Sequence, residues 1–170
     1  MNGQQDGGET ALANVVVRLY DAASNLVGTT TSSVAGAYAF TNLVPGSYYV
    51  EFTSPAGYFF TTANAGNDTT DSDVLPGTSR TVLIALTNGQ TDNTVDAGFI
   101  QAVSLGDYTW VDANYNGQQD VGEAALSNVV VTLYDAASNV VGTTTSSVTG
   151  AYAFTNLLPG SYFVGFTPPT

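Results

Sequence analysis

The chain contains no cysteine, no histidine and no lysine, and its two basic residues are Arg18 and Arg80. Without Cys there is neither disulfide nor thiolate chemistry. Without His, Cys or Lys, only carboxylates remain as general acids and bases, so the chain reads as a non-enzyme. Two cations against 14 acids give a formal net charge of −12. That balance argues against nucleic acid, whose binding needs a basic patch, and against anionic membrane surfaces. No apolar run approaches the roughly 18 residues of a membrane-spanning helix. No signal-peptide h-region is visible either, and the stretch reads as internal to something longer.

What is present points to a folded β protein. Charged residues are only 9% of the 170, too few for a disordered acidic tail, and 44% are apolar, enough for a packed core. Abundant Thr, Ser, Val, Tyr and Gly reads as all-β. The acids gather in loops rich in Gly and Asn, which suggests cation binding rather than general solvation.

One such loop is Asp112-Ala113-Asn114-Tyr115-Asn116-Gly117-Gln118-Gln119-Asp120-Val121-Gly122-Glu123. It fits D-x-[DN]-x-[DN]-G-x5-E, the pattern of a twelve-residue calcium loop, at every specified position. Calcium is a hard cation that takes about six to eight oxygens. Asp112, Asn114 and Asn116 supply side-chain oxygens and Gln118 a backbone carbonyl. Asp120 serves directly or through water, and Glu123 closes the cage with both oxygens. Gly117 permits the sharp turn. The flanks, Val103 to Val111 and Asn128 to Tyr134, read as strands, so the loop is EF-hand-like but carried between β-strands. The competing reading is an Asx/Gly-rich turn that binds nothing.

An internal repeat sets the organisation. Residues 2–56 align without a gap with residues 116–170 at an offset of 114, and 11 of the 55 pairs differ. A period of that size indicates domains in tandem rather than a solenoid. The expected boundaries are 1–100, a repeat lacking its first strand and the start of its calcium loop, and 101–170, the N-terminal half of the next. The first copy keeps Asn2, Gln4, Asp6 and Glu9 as loop ligands, with Gly3 at the turn. The junction, Gln101-Ala102, is too short for free interdomain motion.

Alternation gives the faces. Val15, Val17 and Leu19 share one side of a strand, and Tyr48, Val50 and Phe52 one side of another. Both sets are unchanged in the second copy (Val129, Val131, Leu133, Tyr162, Val164, Phe166), whereas Arg18, Tyr49 and Glu51 on the opposite face become Thr132, Phe163 and Gly165. Further strands are expected at Leu26 to Ser32, after Ala35-Gly36 with Tyr38 and Phe40 on one side, from Tyr58, over Ser79 to Leu86, and over Thr94 to Ile100. Short strands with turns about every eight to twelve residues indicate a β-sandwich.

Leu105-Gly106-Asp107-Tyr108-Thr109-Trp110-Val111-Asp112, running into Asn114 to Asp120, resembles the opening of the calcium-binding B-type repeats of Sdr (serine-aspartate repeat) surface proteins. Ala35 to Leu43, Pro45-Gly46, Pro55 to Tyr58, Asp71 to Val74 and Asp96 to Phe99 resemble later segments of the same repeat, so the resemblance covers essentially the whole chain. It implies a Cna-B-like, prealbumin-like (Ig-like) β-sandwich, secreted and set in tandem in rod-like stalks of bacterial cell-surface proteins. It also implies further calcium sites, at Asp71 and Asp73 with Asp68, and with Asp107 assisting. Residue chemistry alone leaves that acidic loop evenly divided between metal site and solvated loop. One departure matters: with no Lys, the Lys–Asn isopeptide bond of related Cna-B domains cannot form.

The leading expectation is therefore a Ca2+-stiffened spacer repeat of an extracellular stalk, adhesin or filament, with neighbouring repeats of the same chain as partners. The alternative is an adhesion module for a glycan or protein on a host or other surface, using Tyr49, Thr29, Thr30 and Thr31. Lateral self-association into fibres is open.

Overall fold

The computed structural model describes residues 2–169. It divides into two compact units, Met1–Gln101 and Ala102–Thr170. Both are built from β-strands, with no helix among the described residues.

Among the described residues the first unit has six strands: β1 (Val16–Asp21), β2 (Leu26–Thr31), β3 (Gly46–Phe52), β4 (Tyr58–Phe60), β5 (Ile84–Leu86) and β6 (Phe99–Gln101). They form an antiparallel sheet in the order β2-β1-β3-β5 and a separate β4-β6 pair. The alternation of β1 and β3 turns Val17, Leu19, Val50 and Phe52 to the same side, where they form the core with Val15, Tyr48 and Val74. Tyr38, Phe40, Phe60, Val95, Ala97 and Phe99 cover it. Tyr38 meets the Phe52 ring edge-on, with centroids 5.4 Å apart, the arrangement that aromatic quadrupoles favour.

The second unit has β7 (Val103–Tyr108), β8 (Val130–Asp135), β9 (Val140–Thr145), β10 (Ala151–Leu157) and β11 (Tyr162–Thr167). Its sheets are β11-β8-β9 and β10-β7. Val129, Val131, Leu133, Phe154 and Leu157 make its core.

Local details recur in both units because the sequence recurs. Asp21 accepts the Ala23 and Asn25 amides at 2.9 Å each and the Asn25 Nδ2–H at 2.9 Å, which leaves Ser24 left-handed at φ 64°. Asp135 does the same for Ala137 and Asn139, with Ser138 at φ 67°. These bonds, that from the Asn side chain foremost, hold both carboxyls below their ordinary range. The two acids are turn-formers, an Asx arrangement. Ser32 and Ser146 are buried, each hydroxyl accepting one amide and donating to one carbonyl.

Three expected strands come out differently. Residues 37–43 carry no ladder, although their counterpart β10 pairs with β7; residues 2–101 contain no copy of the β7 sequence to pair with. The expected strand from Ser79 is reduced to β5. The Val50 amide bonds the Thr81 hydroxyl at 3.1 Å instead of a backbone carbonyl, breaking the ladder and leaving Val82 and Leu83 exposed. The closing strand shrinks to β6, because the Asp96 and Gly98 amides go to the side chains of Asp73 and Ser72.

Equivalent core residues differ sharply in cover. Phe52 is 3% exposed, whereas Phe166 is 52% exposed and lines an apolar groove with Tyr108, Trp110, Leu126 and Pro168. Residues 57–100, which supply the cover in the first unit, have no counterpart within residues 116–170. Phe52→Ala is therefore expected to cost about 3–5 kcal/mol, and Phe166→Ala only about 1 kcal/mol or less. Denaturant unfolding monitored separately for each unit reads the difference; equal costs would contradict this account of the two cores.

Candidate metal centre

In the second unit the loop from Asp112 to Glu123 is knotted by its own side chains. Asp112 accepts the Asn116 amide at Oδ1 (3.2 Å) and the Gly117 amide at Oδ2 (2.9 Å). Asn114 and Asn116 both donate Nδ2–H to Asp120 Oδ2, at 2.8 and 2.7 Å. The Gln118 amide donates to Asn116 Oδ1 at 2.7 Å. Glu123 ties the ends, accepting the Ala113 amide at Oε1 and the Asp120 amide at Oε2. The Asn donors hold the Asp120 carboxyl below its usual range. The six expected ligand residues thus lie in one hydrogen-bonded network. A hard cation binding there must turn the Asn114 and Asn116 amides so that oxygen, not N–H, faces it.

The first unit repeats the pattern with what it has. Asn2 donates to Asp6 Oδ2 at 2.7 Å, the Gln4 amide to Asn2 Oδ1 and the Asp6 amide to Glu9 Oε2. Here the loop is anchored on the acidic segment. Gln4 Nε2 donates to the Ala65 carbonyl at 2.9 Å, the Gln5 amide to the Thr70 carbonyl at 2.6 Å and the Ser72 amide to the Gly3 carbonyl at 3.2 Å. Gly3 is required twice over: its φ is +73°, and a Cβ would strike the Thr62 carbonyl oxygen.

Beneath that contact lies a carboxylate cluster. Asp68, Asp71 and Asp73 each offer an oxygen within 4.8 Å of the others, the one such trio among the described residues. Asp71 is 4% exposed; its Oδ2 accepts the Gly66 amide at 3.0 Å, and its Oδ1 has no partner. An unpartnered buried carboxylate oxygen is costly, and a cation is the partner that suits it. Asp73 accepts the Asp96 amide at 2.7 Å. Asp68, Asp73 and Asp92 line one cleft together with Thr81, Thr94 and Val95. Partial burial, reinforced by Asp73, Asp71 and Asp68, pushes the Asp96 carboxyl up to about 6. Burial and the surrounding acids push Asp73 up as well. Burial, then Asp96, Asp73 and Asp92, raises the Tyr38 phenol, whose hydroxyl donates to the Val95 carbonyl at 2.7 Å.

Reading the sequence did not bring Asp92 and Asp96 to the acidic segment. Their signal is spacing across the fold: Asp96 meets Asp73 between segments 23 residues apart. Asp107, expected to assist, is exposed on β7 opposite Tyr152, in the other unit from the trio. Tyr49, expected to be free for a ligand, is 9% exposed. It stacks on Tyr20 at 5.1 Å and lies under the Arg80 guanidinium at 5.1 Å, while Arg80 and Arg18 both bond Glu51. That cover removes it from the alternative adhesive surface. Thr29 and Thr31 are exposed, and Thr30 is partly covered.

The model of the SdrD B-like domain family matches residues 1–99 and 103–170. Serine-aspartate repeat-containing protein F of Staphylococcus epidermidis is 43% identical over 171 residues, covering 99% of this chain and 10% of that protein. Proteins E and C of Staphylococcus aureus are 41% and 42% identical over 99% of this chain, covering 14% and 17% of their lengths. The chain thus spans a small fraction of the curated relatives it matches. Among solved structures, a streptococcal ancillary pilin is similar over 98% of this chain and 52% of its own, at 16% identity and TM-score 0.47. The Bacillus anthracis TIE protein is similar over 95% of this chain and 26% of its own, at 21% identity and TM-score 0.42. Likeness at such scores carries no argument. What the fold and loops define is an all-β domain with carboxylate-rich loops at its strand ends. The chain belongs to the SdrD B-like domain family.

The raised Asp96 carboxyl has a consequence for stability. A carboxyl whose folded pKa lies above its unfolded value binds more protons when folded. In a chelator, its contribution is therefore greatest below about pH 4 and is lost as pH rises to about 6. Asp96→Asn should flatten the melting temperature between those pH values in EDTA. An unchanged pH profile would show that Asp96 is not the group responsible.

Proposed function

We propose that this chain is a calcium-stiffened structural spacer from an extracellular stalk, adhesin or filament on a bacterial surface, its two units being successive copies of one repeat. The observation that carries the metal is Asp71 Oδ1, buried without a partner beside Asp68 and Asp73. Asp68, Asp71 and Asp73 would hold one cation. In the second unit Asp112, Asn114, Asn116, Gln118, Asp120 and Glu123 would hold another, and Asn2, Gln4, Asp6 and Glu9 supply the matching part of the first. Hard oxygen donors of this kind, without nitrogen or sulfur, suit calcium. A cation at the trio neutralises repelling carboxylates on the segment to which residues 3–5 and 96–98 are already bonded. Binding therefore ties the loop, the acidic segment and the closing strand together. The stalk setting is what the resemblance to serine-aspartate repeat proteins implies.

Thermal melts with calcium and with EDTA test this. At calcium about 100-fold above Kd, a rise of roughly 10 °C is expected for the unit carrying the trio, and Asp71→Ala should abolish most of it. A melt indifferent to calcium would reject the proposal.

A further inference from the structure

We infer that the free edges of β2 and β9 form a self-pairing surface, on which the edge strand of one copy adds antiparallel to the edge strand of a second copy. β2 pairs with β1 alone, and β9 with β8 alone, each at the end of its sheet. The Ser32 amide bonds the Val15 carbonyl and the Ser146 amide the Val129 carbonyl, both at 2.9 Å. By strand alternation the backbone groups of Thr29, Thr31, Thr143 and Thr145 then point out of the sheet, away from β1 and β8. The edge is open in both units, although one contains the 57–100 segment and the other the β7 strand. Neither addition covers it.

Sheet edges are ordinarily guarded by charge, proline or strong bulging. These are not. Leu26-Val27-Gly28-Thr29-Thr30-Thr31 and Val140-Val141-Gly142-Thr143-Thr144-Thr145 hold no charge and no proline, and both are rich in β-branched residues. Each has one register shift, near its start. Leu26, Val27, Val140 and Val141 are exposed. The neutrality extends further: no charged residue lies within 22–50 or 136–170, in a chain of net charge −12. Two copies repel through their acidic loops, so these neutral edges are where they approach at least electrostatic cost.

The occupant that fits is the strand itself. Antiparallel pairing of β2 with its own copy about Thr30, within the regular stretch beyond the bulge, sets Thr30 against Thr30 and Thr29 against Thr31, contacts that stabilise sheets. The two edges of one chain, nearly identical in sequence, let pairing continue from copy to copy. This surface uses none of the metal-binding residues and stands apart from the calcium reading.

Sedimentation velocity on the full chain, in calcium at about 0.15 M salt to screen the acidic loops, tests it. Thr29→Lys with Thr143→Lys charges the edges. Val34→Lys with Val148→Lys makes the same charge change at exposed turn positions off the edges. Wild type and the Val34/Val148 variant should gain mass with concentration, and the Thr29/Thr143 variant should remain a single chain. Adding Lys lowers the net negative charge, so a purely electrostatic effect would strengthen association in both variants. A wild type that stays a single chain at every concentration overturns the proposal, as does a Thr29/Thr143 variant that associates like the control. Should that variant fold poorly, amide exchange of the wild type decides. Protection growing with concentration at Thr29, Thr31, Thr143 and Thr145 supports edge pairing, and protection confined to the groove around Phe166 refutes it.

Discussion

Carboxylates crowded where water is scarce are the constraint on which the first unit depends. Asp71 is buried with an oxygen left unpaired, Asp73 and Asp96 share a backbone bond, and Asp68 and Asp92 complete a cleft of one sign of charge. Arg18 and Arg80 are both spent on Glu51, and no cationic side chain pairs with the cluster among the described residues. Burial pushes the Asp96 and Asp73 carboxyls toward the neutral form, and a bound cation would lower the cost of the charged forms. The loop at residues 2–9, the acidic segment and the closing strand all meet at this point, so its charge state bears on three segments at once.

The same economy governs the rest of the molecule. Without disulfides or lysines, polar side chains take over jobs usually done by backbone ladders. Thr81 intercepts a strand bond, Ser72 and Asp73 take amides of the closing strand, and Ser32 and Ser146 pin the edges of their sheets. The calcium-type loops are the extreme case, with carboxylate and amide groups bonded to one another at nearly every position. Those oxygens are the ones a hard cation takes, so metal and hydrogen bonds compete for one donor set.

Where one face of a strand is buried, its alternation was readable from residues alone. Val17, Leu19, Val50 and Phe52 are inward because period two leaves them no other common side. The loop at residues 112–123 was equally readable as one hydrogen-bonded turn, since its spacing is local. What escaped was non-local. Asp92 and Asp96 join the acidic cleft only through the fold. Tyr49 lies on the outward face yet is covered, because Arg80 reaches over it from another segment. Residues 37–43 have a strand's sequence, but a ladder needs a partner, and strand propensity does not report whether one is there. β5 and β6 fall short of their sequence patterns because hydroxyl and carboxylate groups outcompete the backbone for the same amides.

Amide hydrogen exchange with and without calcium addresses stiffening most directly. The account predicts slower exchange in calcium at Gln5, Asn64, Ser72, Asp96 and Gly98, whose amides bridge the loop, the acidic segment and the closing strand. The turn amides of Ala23 and Asn25, held by Asp21 alone, should not change. Exchange at the bridging amides that is the same in calcium and in chelator would contradict it.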